Sequence, residues 1–151
     1  MTSLFFDLNI WLSLSVRSHA HHEEAWKWFH RLPVNTRLLF SRYTQIGLLR
    51  LLTNTAVMGE ETRTLREAWK ILDLWLEDPR VLFLPDPPGV DSIFRQATEP
   101  FAHQPASKWV GDCWLLAFAM AAHAHLVTFD RALCEFARKQ GHAAVLPGRV
   151  D

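Results

Sequence analysis

Ser107-Lys-Trp-Val-Gly-Asp112-Cys-Trp-Leu-Leu-Ala-Phe-Ala-Met-Ala-Ala-His-Ala-His-Leu-Val-Thr128-Phe-Asp130-Arg131 is the stretch on which the fold turns. It reads as an apolar helix over 112–124 running into a short strand, Leu126 to Thr128, with Asp112 opening the helix and Asp130 following the strand. Asp130 then caps a last helix to about Gln140, Gly141 stops that helix, and Ala143 to Leu146 reads as a final strand.

Working back toward the N-terminus, the same rhythm repeats. Ser3 to Phe6 is a short apolar strand ending in Asp7, and Asp7-Leu8-Asn9 turns the chain into a helix over Ile10 to Val16. A second helix opens near His19-Ala-His21-His22 and stops at Pro33. Leu38-Leu39-Phe40 is the next strand, and Ser41 is a good N-cap for a helix from Arg42 to Thr53. Residues 55 to 61 read as a loop. Thr62 or Thr64 then starts a long helix with the apolar stripe Leu65, Ala68, Trp69, Leu72, Trp75 and Leu76. Val81 to Leu84 is a third strand, Pro85-Asp-Pro-Pro-Gly89 a loop, and 90–99 a short helix.

Short, wholly apolar strands that alternate with helices are buried on both faces, which predicts an α/β fold with a parallel sheet flanked by helices. Such sheets bind ligands beyond the carboxyl ends of their strands, at a switch in strand order. Asp7 and Asp130 both stand at that end, and Asp112 opens the helix leading into the second of these strands. Three carboxylates crowded together repel one another unless a cation joins them. An all-oxygen donor set suits Mg²⁺ or Mn²⁺, and such an ion activates water and steadies a scissile phosphate. An Asp before an apolar helix is also a common N-cap, and an Asp after a strand can simply turn the chain. On pattern alone both readings stand.

Composition sets the bounds. At 151 residues the chain fits one domain over 1–151, with 49% hydrophobic and 21% charged residues, as in ordinary globular proteins. The formal net charge is zero, so bulk charge does not point to nucleic acid; the positive charge is carried by twelve Arg and four Lys. Arg42, Arg50 and Arg131 are candidates for gripping phosphates, against ordinary solvation. Seven Trp and ten Phe leave aromatic side chains to spare for a partner surface. Trp26, Trp28, Trp69 and Trp75 read mostly as core, on helices that stand away from the acidic edge. Cys113 and Cys134 have neither zinc-site nor disulfide-framework spacing. His19, His21 and His22 read as a solvated helix start, and His123-x-His125 lies at the far end of the Asp112 helix. No signal peptide or membrane span is evident, so the expected location is cytoplasmic.

The motifs carry a resemblance. Phe-Phe-Asp7-Leu-Asn9-Ile-Trp-Leu, then Gly-Asp112-Cys-Trp-Leu-Leu-Ala, then Leu-Val-Thr128-Phe-Asp130-Arg-Ala-Leu resemble, in order and spacing, the motifs of PIN-domain nucleases, particularly VapC-type toxins. The resemblance implies a three-layer α/β/α fold with a five-stranded parallel sheet in the order 3-2-1-4-5. It implies a Mg²⁺- or Mn²⁺-dependent ribonuclease toxin with Asp7, Asp112 and Asp130 as metal-binding acids and Asn9 and Thr128 orienting them. A homodimer and a small antitoxin partner come with the family. PIN domains usually carry a further Glu in the helix after the second strand. Gln45 aligns there, which leaves three formal negative charges and favours one ion over two. Gln45 also motivates an alternative, a catalytically silent PIN-like module that binds RNA or protein. A small phosphatase or receiver-like domain is disfavoured, because no second Asp neighbours Asp7.

Overall fold

The computed structural model describes residues 2–148; Met1 and residues 149–151, the ends of the expected domain, lie outside it. Five parallel strands form one sheet in the order β3-β2-β1-β4-β5, as expected. They are β1 (Ser3–Phe6), β2 (Arg37–Phe40), β3 (Val81–Phe83), β4 (His125–Val127) and β5 (Ala144–Val145). In chain order the helices are α1 (Leu8–Ser15), α2 (His22–His30), α3 (Arg42–Leu52), α4 (Thr55–Met58), α5 (Leu65–Glu77), α6 (Val90–Thr98), α7 (Ser107–Ala121) and α8 (Arg131–Lys139).

Strand alternation builds the three layers. Leu4, Phe6, Leu38, Phe40 and Val127 face one core, shared with α1, α2, α3 and α5. Phe5, Leu39 and Leu126, the residues between them, face a second core shared with α7 and α8. Trp11 is fully buried in the first core, tilted against Phe6 and Phe40. Phe5 stacks on Phe118 of α7 at 4.3 Å in the second.

Several helix starts follow from capping. Asp7 caps α1 through Leu8 N–H, so the helix begins at Leu8 and not at Ile10 as the sequence suggests. Ser41 and Thr44 form a reciprocal box at α3, and Thr64 and Glu67 another at α5. Two elements depart from expectation. The 55–61 loop is a turn of helix capped by Asn54 and then a 3-10 turn. More consequentially, α7 begins at Ser107, not Asp112, and no side chain caps Ala106 at its head. The α5 stripe is also broader than the face that packs: Ala68 and Leu72 are buried, whereas Leu65, Trp69 and Leu76 are exposed. Among the described residues no helix is long and apolar enough to cross a membrane.

Candidate functional site

The chain leaves β1 toward β2 on one side and meets β4 on the other, so the carboxyl ends of β1 and β4 flank the switch in strand order. Asp7 follows β1 directly and Asp130 lies just past β4. Their backbones are pinned together: Asp7 N–H donates to the Val127 carbonyl at 2.8 Å.

Thr128 is the hub between them. Its hydroxyl donates to Asp7 Oδ2 at 2.7 Å and accepts the Asp130 backbone N–H at 2.9 Å. Asn9 reaches across from α1, its Nδ2 donating to Thr128 Oγ1 at 3.4 Å and its Oδ1 accepting Phe129 N–H at 3.3 Å. Asp130 Oδ1 accepts Ala132 N–H at 2.9 Å and Leu133 N–H at 3.2 Å, so Asp130 does cap α8.

Asp112 is not a cap. It lies in the second turn of α7, and its carboxylate makes no hydrogen bond among the described residues. The helix-cap reading of Asp112 is therefore wrong: the helix starts upstream and its side chain is free to serve elsewhere. Burial raises the Asp112 carboxyl to about 6, with Asp7 and Asp130 pushing the same way and Lys108, one turn back, opposing. Burial also raises Asp7, offset by its bonds from Thr128 and Leu8, and Asp130 adds to the rise. The three aspartates thus share one field. Among the described residues no group of three or more His, Cys, Asp or Glu side chains is placed to hold a metal ion.

Gln45 is buried in the first turns of α3, and its carbonyl oxygen accepts from the Arg42 guanidinium. Arg42 also lies over the Phe83 ring at 4.7 Å. Arg50 and Arg131 are exposed and form no ion pair among the described residues. His21 stands at the head of α2, where its side chain makes no cap, and its ring stacks on Phe129, between Thr128 and Asp130, at 4.5 Å. Trp26, Trp28 and Trp75 are partly buried, but Trp69 is exposed, against its expected core role. Both cysteines are buried, and burial, with the Asp112 charge adding, raises the Cys113 thiol to about 11, an inert group.

Two groups beside the acids escape a reading of motifs. Lys108 lies beyond the expected helix start. Tyr43, in the first turn of α3, feels both Asp7 and Asp112. The available signal was position: Tyr43 follows a strand end on the same sheet edge as Asp7.

A family model described as PIN domain matches residues 4–139. The chain is 35% identical over 137 residues to ribonuclease VapC41 of Mycobacterium tuberculosis, spanning 88% of this chain and 92% of that protein. Ribonuclease VapC39 of the same organism is 32% identical over 137 residues, spanning 91% and 94%. Among solved structures, VapBC2 from Rickettsia felis, bound to a DNA fragment from its promoter, superposes with a TM-score of 0.69 at 15% identity, over 97% of this chain and 99% of that one. At that identity the likeness concerns the fold.

Proposed function

The chain belongs to the PIN-domain family, and on that premise we propose that it is a metal-dependent endoribonuclease, the cytoplasmic toxin of a VapBC-like toxin–antitoxin pair. The observation that carries the reading is the mutual electrostatic influence of Asp7, Asp112 and Asp130, which come from three elements beside the switch between β1 and β4. The names of the two mycobacterial relatives support RNA as the substrate, and their type supports a small antitoxin as partner. Residues 1–151 are taken as one PIN domain.

The donor set fits Mg²⁺ or Mn²⁺. It consists of carboxylate oxygens, Asp112 has no competing hydrogen bond, and the burial and the neighbouring carboxylates that together lift its carboxyl to about 6 disfavour a charge that a divalent cation would balance. Asp7, Asp112 and Asp130 would hold the ion. When bound, it supplies a water of lowered pKa and neutralises charge at the scissile phosphate. Thr128 fixes the direction of Asp7, and Asn9 pins the Thr128–Phe129 turn that carries Asp130. The α8 N-terminus holds one oxygen of Asp130, leaving the other for the ion. Gln45 adds no charge, and its carbonyl oxygen is held by Arg42. Three carboxylates with this neutral neighbour favour a single ion. Arg50 and Arg131 are available to RNA phosphates.

The position of Gln45 also supports the second reading, a silent PIN-like module that binds RNA or protein. Cleavage of cellular RNA with Mn²⁺ or Mg²⁺, comparing wild type with Asp112→Asn, separates the two. We expect wild-type cleavage that EDTA abolishes and a loss of about 100-fold or more in the variant, the scale of losing a main electrostatic contributor. Equal rates would overturn the assignment of Asp112. RNA binding without cleavage by either protein would establish the silent module.

A further inference from the structure

Tyr43 stands where α3 comes closest to α7, and the two helices make room for its oxygen. A Cβ on Gly111 would lie 2.5 Å from the Tyr43 hydroxyl. Gly111 is inside α7, immediately before Asp112, where glycine is a poor helix residue. The glycine thus weakens the helix and gains space for a single phenol oxygen. Trp114, also on α7, lies tilted to the Tyr43 ring at 6.4 Å. The hydroxyl has no hydrogen-bond partner among the described residues, yet it lies within the field of Asp7 and Asp112.

The acids line the cleft with hydrogen-bond acceptors. An incoming phosphodiester is also an acceptor, so it needs donors there, and a protonated phenol is one. Beyond Tyr43 a groove of about 380 Å³ follows α3, with Leu8 and Gly47 in its floor and Arg50 and Asn54 further along. Gly47 matters here too, since a Cβ at that position would lie 2.6 Å from the Leu8 methyls. An apolar floor with a cationic flank suits a nucleic-acid strand leaving the cleft.

We infer that Tyr43 is a substrate-contacting residue: its hydroxyl, seated in the Gly111 notch, donates a hydrogen bond to a non-bridging oxygen of the RNA phosphate at the acidic cleft, and the strand continues along α3 toward Arg50. This rests on the ribonuclease reading and adds a neutral donor at the acidic cleft.

The test compares Tyr43→Phe and Gly111→Ala with wild type. Three readouts are used: cleavage of cellular RNA, stabilisation by Mn²⁺ alone, and binding of a short fluorescein-labelled single-stranded RNA in the Asp112→Asn background. Tyr43→Phe keeps the ring and removes only the donor. It should respond to Mn²⁺ as wild type does, bind the labelled RNA more weakly and lose about 10- to 100-fold in kcat/KM, the scale of a hydrogen bond to a charged group. Gly111→Ala should raise Tm, because alanine favours the helix, and still show the same catalytic loss. Wild-type cleavage by Tyr43→Phe would overturn the inference. So would a weakened Mn²⁺ response, which would show Tyr43 acting through a metal-binding carboxylate. If wild type itself cleaves no RNA, the ribonuclease reading fails first and the role of Tyr43 falls with it.

Discussion

At Asp112 stability and chemistry pull in opposite directions. In the unfolded chain its carboxyl titrates near 3.8, and in the fold near 6. Between those values the folded protein holds a proton that the unfolded chain has released. The stability linked to the protonated form is therefore full below about 3.8 and lost as pH rises through about 6. Above that, the metal-free protein carries a repulsion that Asp112→Asn removes. We expect the variant, inactive as a nuclease, to be more stable than wild type by about 1–2 kcal/mol at about pH 8 without divalent ions, after allowance for solvent screening. Urea unfolding should show that margin shrinking toward about pH 4 and reversing when saturating Mn²⁺ binds wild type. A variant less stable than metal-free wild type at the higher pH would mean that attraction, not repulsion, surrounds the carboxylate. At this scale much of the candidate site was legible. Asp7 and Asp130 announce themselves by following apolar strands, and Thr128 and Asn9 by their motifs. Tyr43 carries one signal in the sequence, its place just after the end of β2, but its approach to Gly111 depends on the separation of two helices rather than on any neighbour in sequence.

Whether an element's start is legible depends on whether a side chain caps it. Ser41, Thr64 and Asp130 satisfy exposed N–H groups, and α3, α5 and α8 begin where those residues say. Helix α7 opens at Ala106 without a side-chain cap. The Gly111–Asp112 pair, which resembles a start, is interior because the helix begins at Ser107. Similarly, spacing identified the α5 stripe but could not tell which part of it meets α3. The capping claim has a direct test on the element farthest from the acids in function. Thr64→Ala removes the side-chain acceptor for Glu67 N–H, at 3.2 Å, and should lower stability by about 1 kcal/mol in urea unfolding. RNA cleavage at low temperature should be unchanged. A loss of cleavage without a loss of stability would show that α5 communicates with the cleft.

Over the whole molecule, the surface left uncovered by the three layers is informative. Leu65, Trp69 and Leu76 share one flank of α5, and Leu82 and Phe83 are exposed on the edge strand β3. Large exposed apolar side chains grouped on neighbouring elements mark association surfaces. We expect this flank to pair two copies of the chain, so that sedimentation of wild type reports a dimer and Trp69→Glu shifts it to monomer with unchanged circular dichroism. A monomeric wild type at all accessible concentrations would reject the pairing. The architecture has a further consequence in time. The hydrogen bonds that assemble the cleft join residues 119 and 121 positions apart, Asn9 and Asp7 to Thr128. Asp7 is synthesised 121 residues ahead of Thr128. A nascent chain on the ribosome therefore has a first strand and a first carboxylate but no cleft, however far its N-terminal helices have formed. On the ribonuclease reading, the cleft is complete only once β4 has been made and pairs beside β1, so a partner that silences it is needed from that moment and not before.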